Sequence, residues 1–539
     1  MPATDVALVR PPYRLTDFDE VTQEALGLGM VAASMRAAGL DVVLIDAELE
    51  ELGVDDVLFR LADLQPAVVG MTVIGRGSLA SALDVAKGVK RWAAPDAHVT
   101  LGGMLASFAA AEILNIAPAV DSVVMFEGEV GGTALAHAVI GRRSWRDTPG
   151  LAFRDGETMR VNPHAAATAL DDLPWAARDL LPLALESGHA CSMLSSRGCV
   201  GSCTFCSAHS FNRASGRRGW TGRQAMSLVD ELESLRDQYG LREVVFVDDD
   251  FIGDAEGGRS RALAVAEQLR SRDLDLWFQI ETRPDLVEQD LFEMLHAAGL
   301  RSVFMGIESV SPRAQAVFGK RLSRRRVERA LAICADLDLV VHTGYIMFSP
   351  YGDLDEIEAS FAFLRRAGQA NPYSLTNALH AAPGTALLPR LQSDGMVRGD
   401  PVLGFSVGFR DDAVARLHTM ALLAVRALFP SWYRLVRLRA ATLTELHGSP
   451  SAAASHRRSA VDRAIEAIDD IAGVVFEQAL QCVRAGESDV VCRALELREG
   501  ALTAAARVEA AVAVTRNRDR PVADAAAGPS RVEEVGRVS

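Results

Sequence analysis

The sequence predicts an α/β protein in three parts: an N-terminal doubly wound, flavodoxin-like (Rossmann-like) sheet, a central partial (β/α)6 barrel and a C-terminal α-helical region. Three observations carry this reading. The chain has 539 residues, well beyond the usual domain of about 100 to 200. Short β-rich runs alternate with 3.6-period stretches across residues 5–127 and again across 190–380. Beyond residue 411 only the helical period remains. Hydrophobic residues make up 49% of the chain, enough for several cores.

In the first third, strands are expected at residues 5–9, 41–46, 67–73, 98–102 and 122–126, with helices at 27–38, 55–64, 79–92 and 109–116. Ligands of such a sheet bind at the carboxyl ends of its strands. Those ends carry Pro11-Pro12-Tyr13, Thr72, Gly102-Gly103 and Glu127-Gly128. Glycines there let a large flat ligand approach the backbone, and the absence of G-x-G-x-x-G after the first strand argues against a dinucleotide. Residues 142–188 contain Pro149, Pro163, Pro174 and Pro182 and read as a linker with a short hairpin near Asp155-Gly156.

From residue 189 the alternation resumes. Strands are expected at 190–195, 243–247, 276–281, 302–307, 340–347 and 373–380, separated by helices at 222–239, 259–272, 286–298, 323–336 and 354–369. Polar residues recur at the strand ends: Asp248 and Asp250, then Glu281 and Arg283, then Glu308 and Ser309, with His342, Thr343 and Tyr345 along the fifth strand. Any one of these could be a helix N-cap, but recurrence at successive strand ends marks a site. Helical runs at 413–428, 459–484 and 489–514 follow, broken at residues 447–450, and residues 515–539 read as a disordered tail. The expected domains are therefore 1–141, 142–188, 189–400, 401–514 and 515–539.

The seven cysteines are too few, and odd in number, for a disulfide framework. Three of them, Cys199, Cys203 and Cys206, have the spacing C-x3-C-x2-C, which random placement would produce about 0.001 times. Three thiolates on one loop bind three irons of a [4Fe–4S] cube and leave the fourth open to a ligand. A zinc site completed by His209 is the alternative that local spacing allows. Cys191, Cys334, Cys482 and Cys492 stand at no ligand spacing and read as structural thiols.

The Cys199-x3-Cys203-x2-Cys206 loop, with Phe205 before its last cysteine and a partial barrel behind it, resembles the radical S-adenosylmethionine (radical SAM) enzymes. That resemblance implies a [4Fe–4S] cluster on the three cysteines and cleavage of S-adenosylmethionine to a 5′-deoxyadenosyl radical. It further implies that Phe205, Asp248, Asp250, Arg283, Glu308, Ser309, Gly344 and Ile346 surround the S-adenosylmethionine. The family's usual Gly-Gly-Glu at the second strand end is absent, which leaves the choice among Asp248, Asp249 and Asp250 open. The upstream sheet resembles the cobalamin-binding domain of cobalamin-dependent members, with Pro12, Thr72, Gly102, Gly103, Glu127 and Gly128 as the implied cobalamin contacts. The cobalt-ligating Asp-x-His-x-x-Gly motif does not occur, so a purely structural sheet remains the alternative.

By this resemblance the expected activity is a cobalamin-dependent C-methylation in specialised (natural-product) metabolism. The alternatives are a radical rearrangement, cyclisation, dehydration or decarboxylation, and, from another class, a zinc-stabilised interaction protein. The expected partners are a small-molecule or peptide substrate and an electron donor such as flavodoxin or ferredoxin. Tyr345, His342, His380 and Asn377 are expected to face the cavity. With 56 basic and 71 acidic residues the net charge is −15, which disfavours nucleic acid and anionic membrane. No stretch reaches 18 uninterrupted apolar residues and residues 1–10 do not resemble a secretory signal, so a cytoplasmic location is expected.

Overall fold

The structure is a computed structural model that describes residues 4–13, 23–217, 219–254, 256–448, 452–487 and 489–518. The chain forms two compact units, Met1–Ala367 with Asn377–Ala415, and Gly368–Thr376 with Arg416–Ser539.

The first unit holds two large sheets. The N-terminal sheet comprises β1 (Val6–Arg10), β2 (Val42–Asp46), β3 (Val68–Thr72), β4 (His98–Gly102), β5 (Ser122–Val124), β6 (Leu151–Asp155) and β7 (Thr158–Val161), in the order β2-β1-β3-β4-β5-β6-β7. The first five strands are parallel and nearly continuous runs of Val, Leu, Ile and Met, as burial on both faces demands. Val6, Leu8, Val42 and Val68 pack with the helices Leu26–Ala37 and Gly128–Ile140, while Val9, Val69, Met71, Val99 and Leu101 join the opposite layer. β6 and β7 are antiparallel. The hairpin expected near Asp155-Gly156 is thus part of the N-terminal sheet, and it extends the β5 edge.

His98 on β4 is buried, with Nε2 2.8 Å from the Ser122 hydroxyl and its ring 4.7 Å from that of Trp145. Burial holds its imidazole down at about 4, against an ordinary value of 6.5, despite the opposing field of Asp121. A depressed histidine pKa means stability present above about 6.5 and lost as pH falls toward 4, amounting to about 3 kcal/mol. Urea unfolding from pH 7 to 4 should therefore lose less stability in His98→Asn than in the wild type; parallel slopes would refute the assignment.

The second sheet is the half-barrel. β8 (Cys191–Met193), β11 (Glu243–Phe246), β12 (Trp277–Thr282), β13 (Leu300–Glu308) and β14 (Val340–Tyr345) are all parallel in the order β14-β13-β12-β11-β8. Between β8 and β11 lie the two-residue strands β9 (Ser196–Arg197) and β10 (Thr221–Gly222), which pair antiparallel and pin both ends of the cysteine loop. The expected sixth strand is reduced to one parallel bridge, Phe348↔Ala378. Its first residues turn instead: the Asn371 carboxamide accepts from Ser374 N at 2.8 Å and Thr376 Oγ1 donates to Pro372 O at 2.6 Å.

A hairpin that the sequence analysis missed, β15 (Val397–Asp400) and β16 (Gly404–Val407), reaches back to the N-terminal sheet. Val402 in its turn is buried in that sheet's core, and Arg76 Nη1 donates to Phe405 O at 2.8 Å. The expected boundary at residue 400 falls inside this hairpin.

The second unit is helical, with Ala452–Arg484 and Val490–Arg518 as its long helices. The last of these runs past residue 515, and residues 519–539 of the expected tail lie outside the described residues. The stretch Asp412–Arg439 is long and apolar enough to cross a membrane, with a mean hydropathy of 1.3 over 18 residues. Leu417, Met420, Ala424, Val425 and Leu428 within it are buried, as in a core helix.

Candidate active site

The cysteine loop leaves β9 and is fastened at several points. Gly198 N donates to Asp249 Oδ2 at 3.1 Å, Thr204 N donates to Phe318 O at 2.9 Å, and Leu387 N donates to Thr204 O at 2.9 Å. Gly198 has φ +89°, and a Cβ there would lie 2.3 Å from Gly219 O. Gly198→Ala should cost at least about 1–2 kcal/mol in backbone strain alone and lower the iron held per chain after reconstitution. Wild-type iron content in that variant would show that the loop tolerates rearrangement.

The three thiols are half-buried on this loop. Desolvation pushes all three above the ordinary value, Cys199 to about 12 with help from the Asp250 carboxylate. The Arg283 guanidinium faces Cys199 and Cys203, and Lys320 faces Cys203. Gly201 N donates to Cys199 Sγ at 3.3 Å, and the backbone N–H groups of Ala208 and His209 point at Cys206 Sγ. Amide donors and cations around thiols fit an anionic metal–sulfur cluster. Among the described residues no three Cys, His, Asp or Glu side chains converge on a single-ion site. A cube held at three corners requires no such convergence, whereas a zinc ion does.

Around the loop, Phe205 packs edge-on against Phe318 at 5.4 Å and joins an apolar cluster with Ile346, Leu379 and Ala381. Gly344 lies opposite Gly306 in the β13–β14 register, and a side chain at Gly344 would press on the Phe304 ring. Arg283 grips Asp285 through both Nε (3.0 Å) and Nη2 (3.1 Å). Glu308 has φ +61° and pairs with the buried Lys320 at 3.0 Å, while its carbonyl accepts from Ile346 N at 2.8 Å. Buried Ser309 accepts from Ser311 N at 3.1 Å.

The aspartates that end β11 play different parts. Asp248 is fully buried, with Oδ1 accepting from Ser195 N at 2.7 Å and Ser196 N at 3.1 Å and Oδ2 from the Ser195 hydroxyl, so its carboxylate shapes the turn before the cysteine loop. Asp250 accepts from Thr282 Oγ1 at 3.2 Å, and the Cys199 thiol donates to its Oδ2 at 3.8 Å. Burial raises its carboxyl to about 7. Tyr345, expected to face the cavity, is instead fully buried and stacks on Phe363 of the outer helix Leu354–Arg366. Strand alternation explains the difference: its neighbour Gly344 takes the inner face. Asn377 donates from Nδ2 to Tyr345 O at 2.8 Å, His342 lies opposite Phe304, and His380 lies 6.4 Å from the Phe405 ring.

At the carboxyl ends of the N-terminal sheet, Pro12, Thr72, Gly102 and Gly103 are half-buried, and Thr72 pairs with Gly102. Gly103 has φ +92°, and a Cβ there would meet Val73 O at 2.9 Å and Thr72 Oγ1 at 3.0 Å. Just beyond Thr72, Ile74 is 65% exposed, a large apolar side chain with no protein cover. A broad apolar ligand such as a corrin ring fits this surface. No histidine precedes His98 in the chain, so no cobalt ligand of the motif type is available from the β1 loop. Glu127 is ion-paired. Arg217 holds it at 2.8 and 2.9 Å, Arg197 pairs with it at 3.2 Å, and Arg197 also pairs with Glu129, while Gly128 begins the following helix. These four residues join the end of β5 to the segment immediately before Cys199, a connection that the sequence analysis missed.

A parallel sheet with an open carboxyl edge, tied to a half-barrel whose first loop presents three cysteines, defines the class. Residues 193–364 match the radical SAM superfamily model, and residues 20–136 match the B12 binding domain model. The chain thus carries a radical SAM domain and, ahead of it, a B12-binding domain. Among known proteins it is similar to an uncharacterized methyltransferase of Pyrococcus horikoshii, 25% identical over 461 residues that cover 83% of this chain and 96% of that one. It is also similar to the hopanoid C-3 methylase of Methylococcus capsulatus, 29% identical over 327 residues, covering 59% of this chain and 60% of that one. Its fold is similar to that of the cobalamin-dependent S-adenosylmethionine radical enzyme OxsB with aqua-cobalamin bound, with a TM-score of 0.69, 17% identity, and coverage of 96% of this chain and 80% of that one.

Proposed function

We propose that the protein is a cobalamin-dependent radical SAM methyltransferase that adds a methyl group to a carbon of a small-molecule or peptide substrate, in specialised metabolism. The observation that carries this reading is the joining of a B12-binding sheet to a radical SAM half-barrel within one compact unit. Two relatives of this chain are named as a methyltransferase and a methylase, which supports the choice of reaction.

When bound, a [4Fe–4S] cluster, S-adenosylmethionine and cobalamin supply reductive radical generation and a methyl group transferable to carbon. Cys199, Cys203 and Cys206 would hold the cluster. The apolar wall of Phe205 and Ile346 would receive an adenine, and the cationic Arg283 would suit a carboxylate. Thr72, Gly102 and Gly103 would line the channel for the cobalamin tail, and the exposed Ile74 would offer apolar surface to the ring. Arg197, Glu127 and Glu129 hold the two cofactor regions in fixed register. Electrons would come from a flavodoxin or ferredoxin.

Incubation of the reconstituted protein with hydroxocobalamin, reduced flavodoxin, candidate substrates and S-adenosylmethionine carrying an isotopically labelled methyl group tests this. A product heavier by one labelled methyl supports it. Formation of 5′-deoxyadenosine with an unmethylated, rearranged product would replace it with a radical rearrangement.

A further inference from the structure

Five carboxylates gather at the barrel mouth, and the protein engages four of them. Asp248 is taken by Ser195 and Ser196, and Asp249 Oδ2 by Gly198 N and Asn212 Nδ2 (3.0 Å). Asp250 is held by Thr282 and by the N–H groups of Ile252 and Gly253, and Glu308 by Lys320. The fifth is Glu281. Among the described residues no hydrogen bond or ion pair reaches its side chain.

Its direction follows from the register. Glu281 lies opposite Phe304, and Thr282 opposite Met305. Phe304, Gly306 and Glu308 are partly exposed along one face of β13, while Val303, Met305 and Ile307 are buried along the other. Glu281 is likewise partly exposed between buried Ile280 and Thr282, so it stands on the open inner face of the barrel. Desolvation first, and then the fields of Asp249, Asp248, Asp250 and Glu308, raise its carboxyl to about 8. An inward carboxyl with free oxygens, surrounded by four more acids and not paired with any cation, is arranged to receive a cationic N–H donor.

We propose that Glu281, rather than the aspartates at the end of β11, accepts the α-ammonium group of S-adenosylmethionine. This rests on the reading under Proposed function and makes one part of it specific. Asp248 and Asp250 then act as positioning residues. Asp248 shapes the turn ahead of the cysteine loop, and Asp250 fixes Thr282 beside Glu281. The contact is non-covalent, with the ammonium N–H donating to Oε1 or Oε2 of Glu281.

The test uses the full-length chain, reconstituted anaerobically, with S-adenosylmethionine affinity measured by calorimetry. The wild type must bind S-adenosylmethionine; if it does not, the reading under Proposed function falls. Given wild-type binding, Glu281→Gln is expected to weaken it about 10- to 100-fold, with unchanged iron content. Methylthioadenosine, which lacks the ammonium group, should bind the two proteins equally. Glu281→Asp should recover part of the loss, and it serves as the comparison if Glu281→Gln assembles no cluster. Wild-type S-adenosylmethionine affinity in an iron-replete Glu281→Gln or Glu281→Asp protein overturns the proposal. So does an equal loss of methylthioadenosine affinity.

Discussion

Cys203→Ala should abolish 5′-deoxyadenosine formation and strip the reconstituted chain of most of its iron. Three thiolates are the minimum that hold a [4Fe–4S] cube while leaving one iron open, so loss of one removes the assembled cluster and not merely a fraction of its affinity. The substitution is otherwise mild. The Cys203 side chain is half-exposed, and its neighbour Thr204 keeps the loop attached through Phe318 O, Val317 O and Leu387 N. Far-ultraviolet circular dichroism should be unchanged while iron falls from about four per chain to below one. Cys191→Ala provides the contrast: its thiol is fully buried, burial pushes it up to about 12, and its loss should leave iron unchanged. Undiminished 5′-deoxyadenosine in Cys203→Ala would sink the ligand assignment, and zinc without iron in the wild type would sink the enzyme reading.

The second large effect is expected at Arg197. Its guanidinium is nearly buried between Glu127 and Glu129, whose side chains are 16% and 6% exposed. Removing one partner of a buried pair leaves an uncompensated charge, a loss of about 3–5 kcal/mol. Glu127 would keep Arg217, so the penalty falls on Glu129. Arg197→Ala should therefore lower the urea midpoint of the first unit sharply, and the double change Arg197→Met with Glu129→Met should recover most of it, because an apolar pair of similar volume is close to neutral. A single variant within about 0.5 kcal/mol of wild type would place the contact among ordinary surface pairs. The same loss should reach the metal site: Arg197 stands two residues before Cys199, so iron retention on gel filtration should decline with the midpoint.

How much of this was legible in the sequence depended on distance along the chain. The parallel strands of both sheets announce themselves because burial on two faces forces local runs such as Val6-Ala7-Leu8-Val9, and Cys199, Cys203 and Cys206 lie on a single loop. Glu127 is expected at the cobalamin by resemblance, and no local pattern signals that Arg217, 90 residues away, holds its carboxylate. The roles of Asp248 and Glu281 could not be separated for the same reason. Both are acids at strand ends, and only the fold places Ser195 against one and, among the described residues, no hydrogen-bond or ion-pair partner against the other. Tyr345 was misplaced by a single step of strand alternation, and the sixth strand by local turns at Asn371 and Thr376 that compete with extended backbone.

The hairpin between β15 and β16 has a consequence for biosynthesis. Val402 fills the core of a sheet whose first strand begins near residue 6, so that core cannot finish closing while the chain between is still being made. Because Val402 belongs to that core, the B12-binding region can complete its apolar packing only after residue 402 has left the ribosome. A fragment that ends at residue 141 would lack both this plug and the β6–β7 edge, and would expose apolar surface that the full chain covers.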